Sequence, residues 1–249
     1  LTLLSSCMMV RKPNKGSSAS SKQQASGIQH SISKIQYPKS EYHASRTKDF
    51  DLLHTKLEVS FDWKKQYLHG VAVLSTKPYF YPQNILELDA KGFDIHSITL
   101  VRPLSAGKGA SKWSDEYNST NTEELKYEYD SLIIKILLGK TYTRDETLLV
   151  RIDYTAKPNE LPEGGSAAIH SDKGLYFINP DGKEPNKPRQ IWTQGEPESN
   201  SCWFPTIDSP NEKMTQEIYI TIDTNFTTLS NGSLIYSKIN EDGTKTEYW

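Results

Sequence analysis

The segment LLHTKLEVSFDW, residues 52–63, repeats with a period of two. Leu53, Thr55, Leu57, Val59, Phe61 and Trp63 fall on one side; His54, Lys56, Glu58, Ser60 and Asp62 fall on the other. A helix turns every 3.6 residues and cannot sort the side chains this way, whereas a half-buried antiparallel strand does. The same signature returns along the chain. KKQY can turn the backbone, and LHGVAVLSTKPY reads as the returning strand. NILELDAKGFDIHSITLV holds one or two more strands, and KYEYDSLIIKILL and TLLVRIDYTAKP follow. Leu148, Val150, Ile152 and Tyr154 share one face, as do Ile218, Ile220 and Ile222. SLIYSKINEDGTKTEYW reads as a hairpin, with Asp242-Gly243 supplying its positive-φ turn. No segment keeps a helical period over three turns, and none reads as a transmembrane span. The expected fold is all-β, a large curved sheet or a sandwich, because one-sided alternation must be buried against another layer.

Charge divides the 249 residues unevenly. Residues 1–48 carry eight Lys/Arg against one Glu, while the rest of the chain is acidic enough to bring the total to −2. The head has no aromatic platform and no Gly-rich motif, and the body is acidic, so nucleic acid is excluded as a partner. The head is rich in Ser, Lys and Gln and cannot bury enough apolar surface to offset its ordering entropy. Residues 8–48 are expected to be a disordered tether. Residues 1–7, LTLLSSC, resemble the end of a bacterial lipoprotein signal. In that resemblance Leu4-Ser5-Ser6-Cys7 is the lipobox, and Cys7 is the acylated residue at the start of the mature chain. It implies a lipid-anchored protein of the bacterial cell envelope, on the outer membrane. The chain opens on Leu1 and closes on a strand-like KTEYW, and reads as a piece of a longer protein at both ends. Residues 49–249 are then an incomplete β domain.

Most site chemistry is missing from the sequence. The six histidines include no H-E-x-x-H and no pair at i, i+4, and Cys7 and Cys202 form no C-x-x-C. No metal ligand set is expected in this chain. His54, His69 and His96 read as solvent-facing strand residues. Nucleophile-elbow, P-loop and dinucleotide signatures are absent, and the acidic pairs sit in polar turns.

One stretch breaks the pattern. QIWTQGEPESNSCWFPTIDSP, residues 190–210, packs tryptophans, carboxylates and prolines together without strand alternation or helical period. GLYFINPDG (174–182), then TQGEP (193–197), then WFPTIDSPNEK (203–213), resembles the amino-terminal domain of aminopeptidase N-type zinc metallopeptidases. That family carries GLY, then T-Q-x-E-P, then F-P-x-x-D-x-P-x-x-K. Thr193, Gln194, Glu196, Pro197, Phe204, Pro205, Asp208, Pro210 and Lys213 match in register. Ser230-Asn231-Gly232 matches a later strand end, and the resemblance spans roughly residues 50–249. Four positions depart. Ser201 and Cys202 stand where an arginine is common, Thr206 where a cysteine is, and Ser209 where an acid is.

The resemblance implies a peptide substrate whose free amino terminus is held by Glu196, with Gln194 lining the first side-chain pocket. Trp203, Phe204, Asp208 and Pro210 are expected to hold the loop in shape. It implies zinc, bound by a catalytic domain of the same polypeptide that carries G-x-M-E-N and H-E-x-x-H. Neither motif occurs here, so this chain alone is expected to be inactive. The physical reading agrees, since an ammonium is a compact cation and a carboxylate in a water-poor cleft is its natural acceptor. Two other readings stay open: a non-catalytic scaffold on the same β domain, and an unrelated peptide- or glycan-binding lipoprotein.

Overall fold

The computed structural model describes residues 46–102, 122–162 and 172–249. The chain divides into units 1–47 and 48–249. Cys7 and nearly all of the expected tether lie outside the described residues. Lys48 belongs to the second unit, its ammonium 2.6 Å from Asp51 and 3.0 Å from Glu212.

The described strands run in chain order as β1 (Phe50–Asp62), β2 (Tyr67–Pro78), β3 (Gln83–Asp89), β4 (Asp94–Val101), β5 (Thr122–Glu124), β6 (Lys126–Tyr129), β7 (Ile133–Tyr142), β8 (Leu148–Ala156), β9 (Leu175–Ile178), β10 (Gln190–Thr193), β11 (Thr215–Asp223), β12 (Tyr236–Ile239) and β13 (Thr244–Tyr248). Eight strands form one sheet in the order β12-β13-β11-β1-β2-β8-β4-β5. β3-β7-β6 form a second sheet, and β9 and β10 pair as a short hairpin. The helical content described is two single 3₁₀ turns, Pro158–Glu160 and Asn200–Cys202. The all-β expectation holds.

One core joins the layers. Leu57, Val59, Ala72, Leu74, Ile98, Val150, Ile152 and Tyr154 face inward from the large sheet. They meet Leu86 and Leu88 of β3, Ile134 and Ile136 of β7, and Phe177 of β9. These interiors are apolar on alternate residues because successive side chains of a strand point to opposite faces of its sheet.

Two details correct the sequence reading. First, β1 is antiparallel to β2 but parallel to β11, with His54 opposite Thr215 and Ser60 opposite Thr221. A period of two records burial and carries no information on strand direction. Second, the inward set of β1 does not begin at Leu53. The register shifts between Leu52 and His54, so Phe50 and Leu52 are buried and Leu53 is only half-buried. One inserted residue reverses the phase of everything before it. The expected turns are present. The Asp62 carboxylate accepts the Lys64 and Lys65 N–H groups at 2.9 Å, and Gly243 turns the last hairpin at φ +83°.

Candidate functional site: an acidic rim on a pinned loop

The TQGEP stretch begins as a strand, contrary to the reading of residues 190–210 as unpatterned. β10 pairs antiparallel with β9, setting Ile191 against Phe177 and Trp192 against Tyr176. Four residues are too few to show alternation. The ladder continues by one bond, from Gln194 N–H to the Gly174 carbonyl at 2.9 Å. Beyond it the chain leaves the hairpin and turns. Ser199 N–H closes on the Gly195 carbonyl at 2.8 Å, and the 3₁₀ turn Asn200–Cys202 follows.

The far side of this loop is fixed from below. Ser201 and Cys202 are completely buried, and Phe204 joins the core. Asp208 accepts the Ser201 N–H at 2.8 Å, and its own N–H donates to the Asp89 carboxylate at 2.9 Å. Thr206 bridges Asp89 through backbone bonds of 2.7 and 3.1 Å. The Lys91 ammonium donates to the Glu198 carbonyl at 2.6 Å. Tyr154 reaches up from β8 and donates its hydroxyl to the Trp203 carbonyl at 3.0 Å. Its ring lies over Gly70, where an added Cβ would come within 2.4 Å, and stacks on Phe93 at 5.0 Å. Phe204 and Asp208 therefore hold the loop, as expected. Burial pushes the Cys202 thiol up to about 11, and its S–H donates to the Asp172 carbonyl at 3.2 Å. It sits as a small apolar filler, not a nucleophile. Ser201 and Cys202, at the place where an arginine is common, are packed beneath the loop.

Above this floor the loop is open. Gln194 and Gly195 are half-buried; Glu196, Pro197 and Glu198 are exposed. Both acids of this crest, Glu196 and Glu198, are thus open to solvent in this chain. Among the described residues no group of three His, Cys, Asp or Glu side chains converges. They therefore do not fit a zinc site of the family kind.

The sequence reading also missed a neighbour of the rim. Trp192, 43% exposed, stacks face to face on Tyr176 with centroids 4.5 Å apart. Strand alternation places Trp192 on the same face as Gln194. The missing signal was the β9–β10 register, which pairs residues 16 positions apart.

Fold and loop together define a β domain with an exposed acidic loop leaving its short hairpin. The chain belongs to the peptidase M1 N-terminal domain family, whose model matches residues 42–249. No curated protein matches it by sequence alone. Among solved structures it is similar to the M1 zinc metallopeptidase of Deinococcus radiodurans, with TM-score 0.60, 15% identity, 81% of this chain and 38% of that one. It is similar also to a point mutant of a two-domain M1 zinc metallopeptidase bound to L-arginine, with TM-score 0.60, 14% identity, 82% of this chain and 39% of that one. Yeast LTA4 hydrolase matches with TM-score 0.55 and 16% identity, over 81% of this chain and 27% of that one. The chain thus spans well under half the length of each.

Proposed function

We propose that residues 49–249 are the substrate-amine-reading domain of a zinc-dependent aminopeptidase. The observation that carries this reading is the T-Q-G-E-P loop itself. It leaves a rigid hairpin, is pinned from below by Tyr154, Asp208 and Asp89, and leaves the Glu196 carboxylate unburied at its crest. A rim so held loses little freedom when a ligand arrives. The Glu196 charge complements the single feature that distinguishes the end of a peptide from its middle, the α-ammonium. The similar metallopeptidase structures support the assignment, for they hold L-arginine, L-tryptophan and a Tyr-Ser-Ala substrate, which share a free α-amine.

In this reading the Glu196 carboxylate accepts hydrogen bonds from the substrate ammonium. Gln194, two residues earlier, offers a neutral amide to the first side chain. A catalytic domain of the same polypeptide covers the rim, lowers the local dielectric and strengthens the charge pair. Zinc, held by that domain, supplies the activated water. The 249-residue chain alone is inactive towards aminoacyl anilides. The lipobox at Leu4–Cys7 anchors the protein to the envelope membrane; Cys7→Ser should abolish fatty-acid labelling of the precursor in a bacterial host, and undiminished labelling would refute the anchor.

The test is Glu196→Ala in the enzyme that includes the catalytic domain. It should lower kcat/KM by roughly 30- to several-thousand-fold, the range for truncating one partner of a buried charge pair. Zinc content should not change, and amine-blocked substrates should lose their disadvantage. Wild-type kcat/KM with intact preference for free amines would overturn the role of Glu196.

A further inference from the structure

The outer face of the large sheet carries a second constellation, built from three neighbouring strands. His69 lies on β2, Thr155 on β8 and His96 on β4, and His69 stands directly opposite Thr155 in the register. β4 slips between Ile95 and Ser97, which leaves His96 as the extra residue of a bulge. A bulge redirects the side chain it carries, and here it turns His96 towards the same threonine. His69 Nδ1 lies 3.0 Å and His96 Nε2 2.9 Å from Thr155 Oγ1. Two exposed imidazoles 27 residues apart in sequence therefore aim ring nitrogens at one nearly buried oxygen.

A hydroxyl has one proton. It can donate to one of these nitrogens while accepting an N–H from the other, so one nitrogen already presents a lone pair. A tautomer change in the second ring gives two. The two nitrogens are at most about 6 Å apart, the two contacts laid end to end. A tetrahedral cation with bonds of about 2.0–2.1 Å holds two imidazole nitrogens roughly 3.4 Å apart. Exposed rings close such a gap by rotamer motion without moving a strand. The surroundings suit a cation better than an anion. Asp153 lies on the same face of β8, its carboxylate shared only loosely with Arg151 at 4.0 Å. Asp94 pairs in register with Thr155 and holds Lys157 at 2.7 Å.

We propose that His69 and His96 form a two-imidazole site for a borderline divalent cation, Zn²⁺, Ni²⁺ or Cu²⁺, above Thr155, with water completing the coordination. Imidazole suits these ions and not Mg²⁺ or Ca²⁺. A bound ion would tie β2 to β4 across β8.

The experiment is calorimetric titration of the 249-residue chain with Ni²⁺, with Mg²⁺ as the negative control. One Ni²⁺ per chain is expected, with thermal unfolding shifted upward in its presence. His69→Ala and His96→Ala should each weaken that binding at least tenfold and remove the thermal shift. His54→Ala, on the same face but held by Thr215 at 2.7 Å, should leave both unchanged. Should His96→Ala disturb the bulge, seen by circular dichroism, His96→Gln and His69→Gln replace the ligand by a similar-sized amide and decide the question. Absence of Ni²⁺ binding at millimolar concentration overturns the site, as does an affinity unmoved by loss of either histidine.

Discussion

At Gly174 a hydrogen stands where any other residue would carry a methylene. Its φ is +66°, and a Cβ there would come 1.9 Å from the Ser199 carbonyl oxygen, inside the turn that leads away from Glu196. Gly182 has almost the same φ, +69°, with nothing within 4 Å. The pair separates backbone strain from close approach. Gly182→Ala should cost about 1 kcal/mol, the left-handed penalty alone. Gly174→Ala should cost about 2–4 kcal/mol, since the turn must also move. Urea unfolding of the two variants checks this, and equal losses would mean that the contact at Gly174 yields freely. Such residues show how unevenly the site was legible. Gln194 and Glu196 could be read because they sit in a fixed order with prolines and aromatics. The exposed Trp192–Tyr176 stack could not, since neither residue carries a mark of the other. The aim of His69 and His96 at Thr155 was hidden for the same reason: it depends on a three-strand register and a one-residue bulge.

The hairpin β9–β10 is too short to hold itself in place, and an isolated two-stranded ribbon is marginal in water. Its seat comes from outside. The Arg189 guanidinium lies 4.2 Å from the Trp63 ring centroid, and Trp63 stacks on Phe226 at 5.0 Å. Phe177 meets Trp63 edge-on at 5.8 Å. Tyr154 fixes the other end through the Trp203 carbonyl. Tyr154→Phe keeps the ring over Gly70 and removes only that bond. It should cost about 1–2 kcal/mol, because a carbonyl loses its donor. In the enzyme it should raise KM more than it lowers kcat, by loosening a loop that binds and does not react. A kcat loss with unchanged KM would contradict that assignment. Among elements, the long strands were legible because six or more alternating residues state their period. The four-residue strands β9 and β10, the phase reversal at Leu52–His54 and the parallel partner of β1 were not, since each is decided by contacts distant in sequence.

Across the whole molecule the carboxylates are not equivalent in acid. Glu247 is 5% exposed, close to the end of the chain. Burial alone would push its carboxyl up. Lys245 at 2.7 Å, the Thr228 hydroxyl and N–H, and the Ser237 hydroxyl outweigh that and bring it to about 2. A carboxyl whose folded pKa lies below its ordinary 4.5 adds stability above that pH and loses it as pH falls towards 2. The contribution is roughly 2–3 kcal/mol at pH 7. Glu247→Gln should therefore be less stable than the parent at pH 7 by about that amount, and nearly equal to it at pH 2. Denaturant unfolding at both values decides it, and a gap independent of pH would show that hydrogen bonding alone, not charge, holds this corner.

The parallel pairing of β1 with β11 also sets a clock. His54 meets Thr215, 161 residues further along the chain. At about 5–20 residues per second of synthesis, β1 exists for roughly 8–30 s before its neighbour on that side has been made. β2 can cover one flank at once, as the two share a tight turn. The other flank keeps its N–H and C=O groups open through that interval, a template for any strand that passes. The outward residues along it include Lys56 and Glu58, which deter a stray pairing by their hydration, so charges that end as an ion pair with Lys56 buried in the finished domain also guard its middle while the nascent chain is incomplete.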